Sequence, residues 1–286
     1  MSKPIGVGII GASAERGWAH DAHIPAINAL GQFRLAALST SRAETAAVAS
    51  SHFGVPGFAS ASELVACPDV DLVVVTVKVP QHRELVQAAL HGGKSVYCEW
   101  PLGNGTAEAR ALADLADAQG VKAFAGLQGR FNPVVQEVIR LLRDGYVGEV
   151  LSTSIVGSGA AWGGVTHSSG TYLSDIANGA TMLSIPIGHT LDAICGALGE
   201  FTPAHALTAI RRRSVPVADT GQSVTPSAPD QIAAFGHFAD GVVGSLHYRG
   251  GVFPGTNLLW EINGTEGDLQ VSATTGHLQM SPTRLR

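Results

Sequence analysis

Ile5-Gly6-Val7-Gly8-Ile9-Ile10-Gly11-Ala12-Ser13-Ala14-Glu15-Arg16-Gly17-Trp18, preceded by Pro4, is the stretch on which the reading of the whole chain turns. A short, wholly apolar, β-prone run ends in a glycine turn, and His20 to Leu30 then reads as a helix. That is the strand–turn–helix opening of a dinucleotide-binding unit. Gly11 lets the chain turn tightly, and small residues such as Ser13 and Ala14 let backbone N–H groups approach a pyrophosphate. The helix N-terminus adds a favourable dipole. The glycine spacing is not strict. Counted from Gly11, a G-x-G-x-x-G pattern needs glycine where Ser13 stands, and Gly17 comes one residue late. Gly6, Gly8 and Gly11 fit literally but fall inside the apolar run.

The same alternation continues to Leu127. Phe33 to Leu38 reads as a second strand, ending at Ser39-Thr40-Ser41-Arg42. A dinucleotide fold places the adenosine ribose here, where an Asp or Glu would bind the 2′-hydroxyl and repel a 2′-phosphate. No acid is present. Ser39, Ser41 and Arg42 offer hydroxyls and a guanidinium, which favours NADP over NAD; alternatively Arg42 simply starts the helix Ala43 to Phe53 and faces water. Ser62 is the expected cap of a short helix, and Val70 to Val77 is the most apolar strand, as a central parallel strand covered on both faces should be. Helices are expected over Gln81 to His91, stopped by Gly92-Gly93, and over Thr106 to Gln119, stopped by Gly120. Strands are expected over Lys94 to Cys98 and Val121 to Leu127. Five or six strands alternating with helices give an α/β Rossmann domain, a doubly wound parallel sheet over residues 1–127.

From Gln128 the pattern changes to an α+β domain over residues 128–286 with a large, mostly antiparallel sheet. A helix reads from Pro133 to Asp144, and strands read around Val150 to Val156, Ala204 to Arg213, Gln231 to Phe238, Val242 to Arg249, Asn257 to Asn263 and Asp268 to Ser272. Asp240-Gly241 and Gly264-Thr265-Glu266-Gly267 are hairpin signals. A helix from about Gly179 to Leu198 is bent or restarted at Pro186, and Ser214 to Asp230, rich in Ser, Thr and Pro, reads as a surface loop. A length of 286 residues suits two such domains.

A net charge of −5 argues against nucleic acid as a direct ligand, and Arg211-Arg212-Arg213 reads as the solvated end of a strand. Cys67, Cys98 and Cys195, with no C-x-x-C, read as small buried apolar residues in a reducing compartment. No signal peptide and no apolar run of the ~20 residues a membrane helix needs are evident, so a cytoplasmic protein with no membrane partner is expected. The eleven histidines show no H-x-x-x-H spacing, so no metal site is expected. His20 and His23 read as dinucleotide-side or structural groups.

The order of the pieces resembles the GFO/IDH/MocA family of nicotinamide-dependent oxidoreductases. The resemblance is carried by the opening glycine turn, Glu99-x-Pro101, Arg130-Phe131-Asn132-Pro133, Gly148-Glu149-Val150, Gly188-His189-x-x-Asp192 and Gly264-Thr265-x-Gly267, and spans the chain. The branch of a fungal galactose-regulon repressor looks nearer still, through Ala14-Glu15-Arg16-Gly17-Trp18-Ala19, Glu99-Trp100, Leu127-Gln128-Gly129-Arg130, Asp175-Ile176-Ala177-Asn178-Gly179 and Gly188-His189-Thr190-Leu191-Asp192. The resemblance implies cofactor contacts from Val77, His82, Glu99, Trp100 and Gln128 besides Gly11, Ser13, Ala14, Ser39 and Arg42. It implies a substrate side formed by Trp162, Tyr172, Asp175 and His189. Trp100 and Trp162 either line a nicotinamide pocket or pack between domains. Lys78 is either a stand-in cation at the cofactor or a solvent-facing loop residue.

Two departures bear on function. Catalytic members carry Glu-Lys-Pro, and here the Lys position is Trp100; they carry an Asp four residues before the histidine, and here it is Ile185. Only His189 remains. A hydroxyl that loses a proton while hydride leaves the same carbon needs a base within hydrogen-bond reach, and an indole can neither accept that proton nor supply a cation. An imidazole titrating near neutrality can act as that base; equally, His189 is a packed structural residue. The resemblance therefore leaves two functions: an NAD(P)-dependent oxidoreductase acting on a sugar, polyol or related hydroxyl compound with a non-standard proton relay, or a non-catalytic dinucleotide-sensing regulatory protein that binds a protein partner. It also implies a homodimer or higher homo-oligomer through the second-domain sheet. Family chains usually continue past the Gly264–Gly267 hairpin, so the second domain is expected to be abbreviated or cut short at Arg286.

Overall fold

In the computed structural model, which describes residues 3–286, the chain divides into two compact units, one ending at Gly126 and the other running Leu127–Arg286. The first is built on six parallel strands, β1 (Ile5–Ile10), β2 (Phe33–Ser39), β3 (Gly57–Phe58), β4 (Leu72–Val75), β5 (Ser95–Glu99) and β6 (Ala123–Gly126). Their spatial order is β3-β2-β1-β4-β5-β6. The chain moves outward from β1 on one side, then returns to lay β4 against its other edge, with Val7 beside Leu72 and Ile10 beside Val75. That reversal opens a crevice beyond the C-terminal ends of β1 and β4.

The connecting helices are α1 (Ile24–Ala29), α2 (Ala43–Phe53), α3 (Ala61–Ala66), α4 (His82–His91) and α5 (Thr106–Gln119). α2 and α5 have the bounds their periodicity predicts, and left-handed Gly120 stops α5. Three expectations are corrected. The first helix opens at Ala19 with a π turn to His23 before α1 proper. The cap of α3 is Ser60, whose hydroxyl accepts the Glu63 N–H at 3.3 Å; Ser62 lies inside the helix. The central strand keeps only Leu72–Val75 of Val70 to Val77, because Val70 closes a turn on Cys67 and the Thr76 hydroxyl turns back to the Ile10 carbonyl.

The second unit carries β7 (Val150–Gly159), β8 (Thr202–Ala209), β9 (Val215–Pro216), β10 (Ser223–Val224), β11 (Gln231–His237), β12 (Val243–Gly250), β13 (Leu258–Gly264), β14 (Asp268–Ala273) and β15 (Thr283–Leu285). Seven of these form one sheet in the order β15-β14-β13-β7-β12-β11-β8, with β12 parallel to β7 and every other pair antiparallel. The β11–β12 hairpin turns at Asp240 (φ 56°) and Gly241 (φ 80°), as an Asp-Gly pair favours. Helices α6 (Pro133–Arg143) and α7 (Gly188–Leu198) cover one face, joining Val135, Val138 and Ile194 to Ile155, Leu246, Trp260 and Ile262 in a continuous core. On β12 the buried Leu246 and Tyr248 alternate with exposed Val243, Ser245 and His247, so the opposite face is open.

Here too some expectations yield to tertiary structure. The helix expected from Gly179 begins at Leu183 as a π turn to Ile187, with Pro186 inside it and α7 following. Proline lacks an N–H and crowds the preceding turn, so the helix widens there. Strand β8 ends at Ala209, and Arg212 is not a solvated end: it pairs with buried Asp230 at 2.9 Å. Ser214 to Asp230 is no plain surface loop, since β9 pairs with β10 and Val215, Val217 and Ala228 are buried. The three cysteines are free thiols, but only Cys98 is buried; Cys67 and Cys195 are half-exposed. The closing strand β15 has no counterpart in the sequence reading.

Tyr248 ties the sheet to α7 and to the last turns of the chain. It is fully buried over Gly157, with its hydroxyl 2.7 Å from Thr190 Oγ1 and 3.2 Å from the Gly276 carbonyl oxygen. Burial raises its phenol above the ordinary range. Replacing it with phenylalanine leaves both partners buried without this hydroxyl, which costs about 1–3 kcal/mol. Urea unfolding followed by tryptophan fluorescence should show the second unit destabilised by that amount.

Candidate functional site

A cleft of about 660 Å³ lies beyond the C-terminal ends of β1 to β4. Its wall is formed by the Gly11–Arg16 turn, the Ser39–Arg42 turn with Thr45, Ala59–Ala61, and Val77 and Gln81. Gly11 takes φ +93°, and its N–H donates to the Ser39 carbonyl at 2.9 Å. A Cβ there would lie 2.6 Å from Val77 Cγ1, so only glycine lets the turn come this close to the β4 end. Beside it, the Thr40 hydroxyl lies 2.7 Å from that of Thr45 and donates to the Arg42 carbonyl at 2.8 Å, shaping the turn into α2. Arg42 is extended and exposed at the rim. The Ser39–Arg42 turn presents no carboxylate; the acid on the wall is Glu15, on the turn after β1. A tight turn of small residues, hydroxyls and a guanidinium is a wall that fits a dinucleotide.

Of the cofactor residues expected from sequence, Gly11, Ser13, Ala14, Ser39, Arg42 and Val77 share this wall. His82, Glu99, Trp100 and Gln128 do not. His82 is 1% exposed, and its ring nitrogens lie 2.8 Å from the Pro101 carbonyl oxygen and 3.0 Å from that of Val77. It joins the segment after β4 to the segment after β5. Glu99 accepts from His23 at 2.6 Å, and His23 in turn meets the Tyr97 ring edge-on. Burial, with Glu99 adjacent, pushes the Cys98 thiol far up, so it is an inert packing group. Glu15 and Arg16, quoted in the opening turn without a cofactor role, also reach the wall, as do Thr45, Ser60 and Gln81, for which sequence spacing carried no signal.

In the second unit His189 sits in the first turn of α7 and is 4% exposed. The Gly129 backbone lies directly against it: a Cβ at Gly129 would be 2.8 Å from the His189 carbonyl oxygen. One helical turn on, Asp192 receives a two-pronged contact from Arg130, with Nε to Oδ2 at 2.8 Å and the second prong from a terminal guanidinium nitrogen to Oδ1. That hydrogen bond holds the Arg130 guanidinium above its usual range. The Arg130-Phe131-Asn132-Pro133 and Gly188-His189-x-x-Asp192 segments, far apart in sequence, are thus clamped together. Ile185, in the π turn before His189, packs against the apolar core.

Trp162, Tyr172 and Asp175 lie along a run of separate 3-10 turns, Ala160–Trp162, Ser168–Ser174 and Ile176–Asn178. Trp162 is 7% exposed, and its indole N–H donates to the Leu173 carbonyl at 3.0 Å. Tyr172 is half-buried, which raises its phenol. Asp175 accepts the Ala177 N–H at 3.0 Å. Among the described residues no group of three or more His, Cys, Asp or Glu side chains is placed to hold a metal ion, and no helix is long and apolar enough to cross a membrane.

Fold and cleft define a dinucleotide-binding protein with a second α+β unit. Residues 5–127 match the oxidoreductase family with an NAD-binding Rossmann fold, and residues 133–273 match the C-terminal domain of Gal80p. The chain belongs to this oxidoreductase family, GFO/IDH/MocA, in a form with a Gal80-like second domain. It is 32% identical over 298 residues to the dehydrogenase aclE of Aspergillus oryzae, across 100% of this chain and 81% of that protein. It is 28% identical over 302 residues to the galactose/lactose metabolism regulatory protein GAL80 of Saccharomyces cerevisiae, covering 97% of this chain and 69% of that one. A crystal structure of a Gal80p super-repressor mutant from that yeast superposes with a TM-score of 0.93 at 27% identity, over 99% of this chain and 78% of that one. D-apiose dehydrogenase of Paraburkholderia graminis is 26% identical over 257 residues, 88% of this chain and 64% of its own length.

The Gly11 contact gives a direct test. Gly11→Val forces a β-branched residue into φ +93° against Val77. NADH affinity, read by tryptophan quenching, should fall about tenfold or more while far-UV circular dichroism is retained.

Proposed function

We propose that the protein is an NAD(P)-dependent oxidoreductase acting on the CH–OH group of a sugar, polyol or related compound. The observation that carries this reading is the Gly11–Arg16 and Ser39–Arg42 cleft at the strand-order reversal. It is supported by the aclE and D-apiose dehydrogenases, which share most of the chain. The cofactor residues are Gly11, Ser13, Ala14, Ser39, Arg42 and Val77 on the wall, with Glu99, Trp100 and Gln128 toward the nicotinamide and His82 bracing the segment after β4. Because the β2 end offers Arg42 and hydroxyls but no acid, NADP is the preferred form. Residues 1–127 form the dinucleotide domain and 128–286 the substrate and oligomerisation domain. The open sheet face takes a second copy, and the free thiols suit a reducing, cytoplasmic setting.

The bound dinucleotide supplies the hydride acceptor. His189 takes the proton from the ligand hydroxyl as the carbon gives up hydride, leaving a carbonyl product. Trp162, whose N–H is already engaged with Leu173, offers only its ring to the ligand. Tyr172 and Asp175 supply polar contacts.

A second reading, a dinucleotide-sensing regulator that binds a protein partner, is favoured by Trp100 and Ile185 at the usual Lys and Asp positions and by the likeness to GAL80. One experiment separates the two. The protein, saturated with NADP and separately with NAD, is mixed with a panel of sugars, polyols and sugar acids while nicotinamide absorbance is followed. The dehydrogenase reading expects reduction with at least one compound, reduced about 10²–10⁴-fold in His189→Ala with dinucleotide affinity unchanged. Tight dinucleotide binding with no reduction across the panel selects the regulator. In the same assay Arg42→Ala should weaken NADP about tenfold and leave NAD nearly unaffected.

A further inference from the structure

The residues between β8 and β11, which composition alone assigns to a surface loop, are fastened at the base and along their length. The base is Asp230, 5% exposed. Its carboxylate accepts the N–H groups of Arg211 at 2.8 Å and Arg212 at 3.0 Å, and the Arg212 guanidinium at 2.9 Å. A buried charge is thereby paired and hydrogen-bonded. The Asp230 main chain joins the sheet on both sides, donating to the Ala209 carbonyl at 3.0 Å and accepting the Gly250 N–H at 2.7 Å.

From that base the excursion runs along the 3-10 turns bearing Trp162, Tyr172 and Asp175. Thr166 and Val217 form a parallel bridge, with the Thr166 N–H to the Pro216 carbonyl at 3.0 Å and the Ala218 N–H to the Thr166 carbonyl at 2.9 Å. Asp219 accepts the Ser168 N–H at 2.8 Å and its hydroxyl at 2.5 Å. The N–H groups of Ser227 and Ala228 donate to the Ser174 carbonyl at 2.9 and 3.0 Å. The Ser227 hydroxyl accepts the Ile176 N–H at 2.9 Å and donates to Asp175 Oδ1 at 3.1 Å. The 3-10 turns share no continuous helical ladder, so their mutual placement depends on what lies against them.

We infer that this excursion is a strap that sets the ligand wall of Trp162, Tyr172 and Asp175, and that Asp219 and Ser227 are specificity-determining positioning residues that never touch the ligand. The inference rests on the substrate side proposed above. It explains why a segment whose regular structure is only the short β9–β10 pair buries Val215, Val217 and Ala228 and ends on a paired buried carboxylate.

The test uses the full chain carrying Asp219→Ala, Ser227→Ala, or both. Hydrogen exchange by mass spectrometry over residues 163–178 should quicken about tenfold in each single variant, as expected for losing one or two net hydrogen bonds, and more in the double variant. Exchange of β1 and NADH affinity should stay as in the parent, and Ser227→Thr, which keeps the hydroxyl, should restore slow exchange. Unchanged exchange in a folded double variant overturns the strap; should the double variant not fold, the single variants are read the same way. Across the sugar and polyol panel the variants should raise KM severalfold with kcat within about twofold, and a fall in kcat at constant KM overturns the specificity role. Absence of turnover in the parent sinks the dehydrogenase reading alone, and exchange then judges the strap.

Discussion

The close approach of the Gly11 turn to Thr76 and Val77 is the constraint on which the first unit depends. β1 is the strand where the sheet order reverses, so its C-terminal turn must clear the end of β4 while still presenting backbone to a ligand. With φ at +93° and Val77 Cγ1 2.6 Å from where a Cβ would stand, glycine alone meets both demands. The Gly11 N–H to Ser39 bond then ties this turn to the β2 end. The two turns that wall the cleft are therefore fixed relative to each other by main chain, which is stiffer than side-chain contact and tolerant of substitutions around it.

The second unit solves a different problem, that of holding one buried imidazole. Pro186 opens a π turn immediately before His189, Gly129 lets a second segment lie against the His189 carbonyl, and the Arg130–Asp192 fork closes the clamp one turn later. Asn132 extends the restraint. It caps α6 through the Val134 N–H at 2.9 Å, donates to the Leu278 carbonyl at 3.1 Å and accepts the Thr283 hydroxyl at 3.0 Å. Burial lowers His277 in the same closing segment, so it packs as a neutral ring. The helix carrying His189 is held from both its flank and, through α6, the end of the chain.

Local patterning carried most of the architecture. Continuous apolar runs separated by periodic helices sufficed for the Rossmann unit, and Asp240-Gly241 sufficed for its hairpin, because those signals are consequences of burial and of φ > 0 at single residues. The Ser60 cap and the π turn at Pro186 are local departures, and the larger misses are places where long-range partners act. Strand β8 stops at Ala209 because Asp230, nineteen residues on from Arg211, takes the next N–H groups out of the ladder. The strap between β8 and β11 looks like a loop because Ser, Thr and Pro are compatible with solvent; what makes it structure is hydrogen bonding to Thr166, Ser168 and Ser174, which composition does not encode. Likewise the cleft residues on the β1 turn were legible from the turn itself, whereas Ser60 and Gln81 reach the wall only through the packing of α3 and α4.

The dehydrogenase reading proposed above turns on what Trp100 and Ile185 remove. A lysine and an aspartate beside the reacting carbon would supply a cation for the developing alkoxide and a charge to orient the base. An indole and a sec-butyl group supply neither. In the dehydrogenase reading His189 would be the base, in a first turn of α7 held by Gly129 and the Arg130–Asp192 fork. Under that reading, choosing the substrate falls to the binding wall, since contacts that hold the bound ligand and the transition state equally move KM and leave kcat alone. The strap we infer would serve that selection, because Asp219 and Ser227 tie the segment from Ser214 to Asp230 to the turns that bear Trp162, Tyr172 and Asp175.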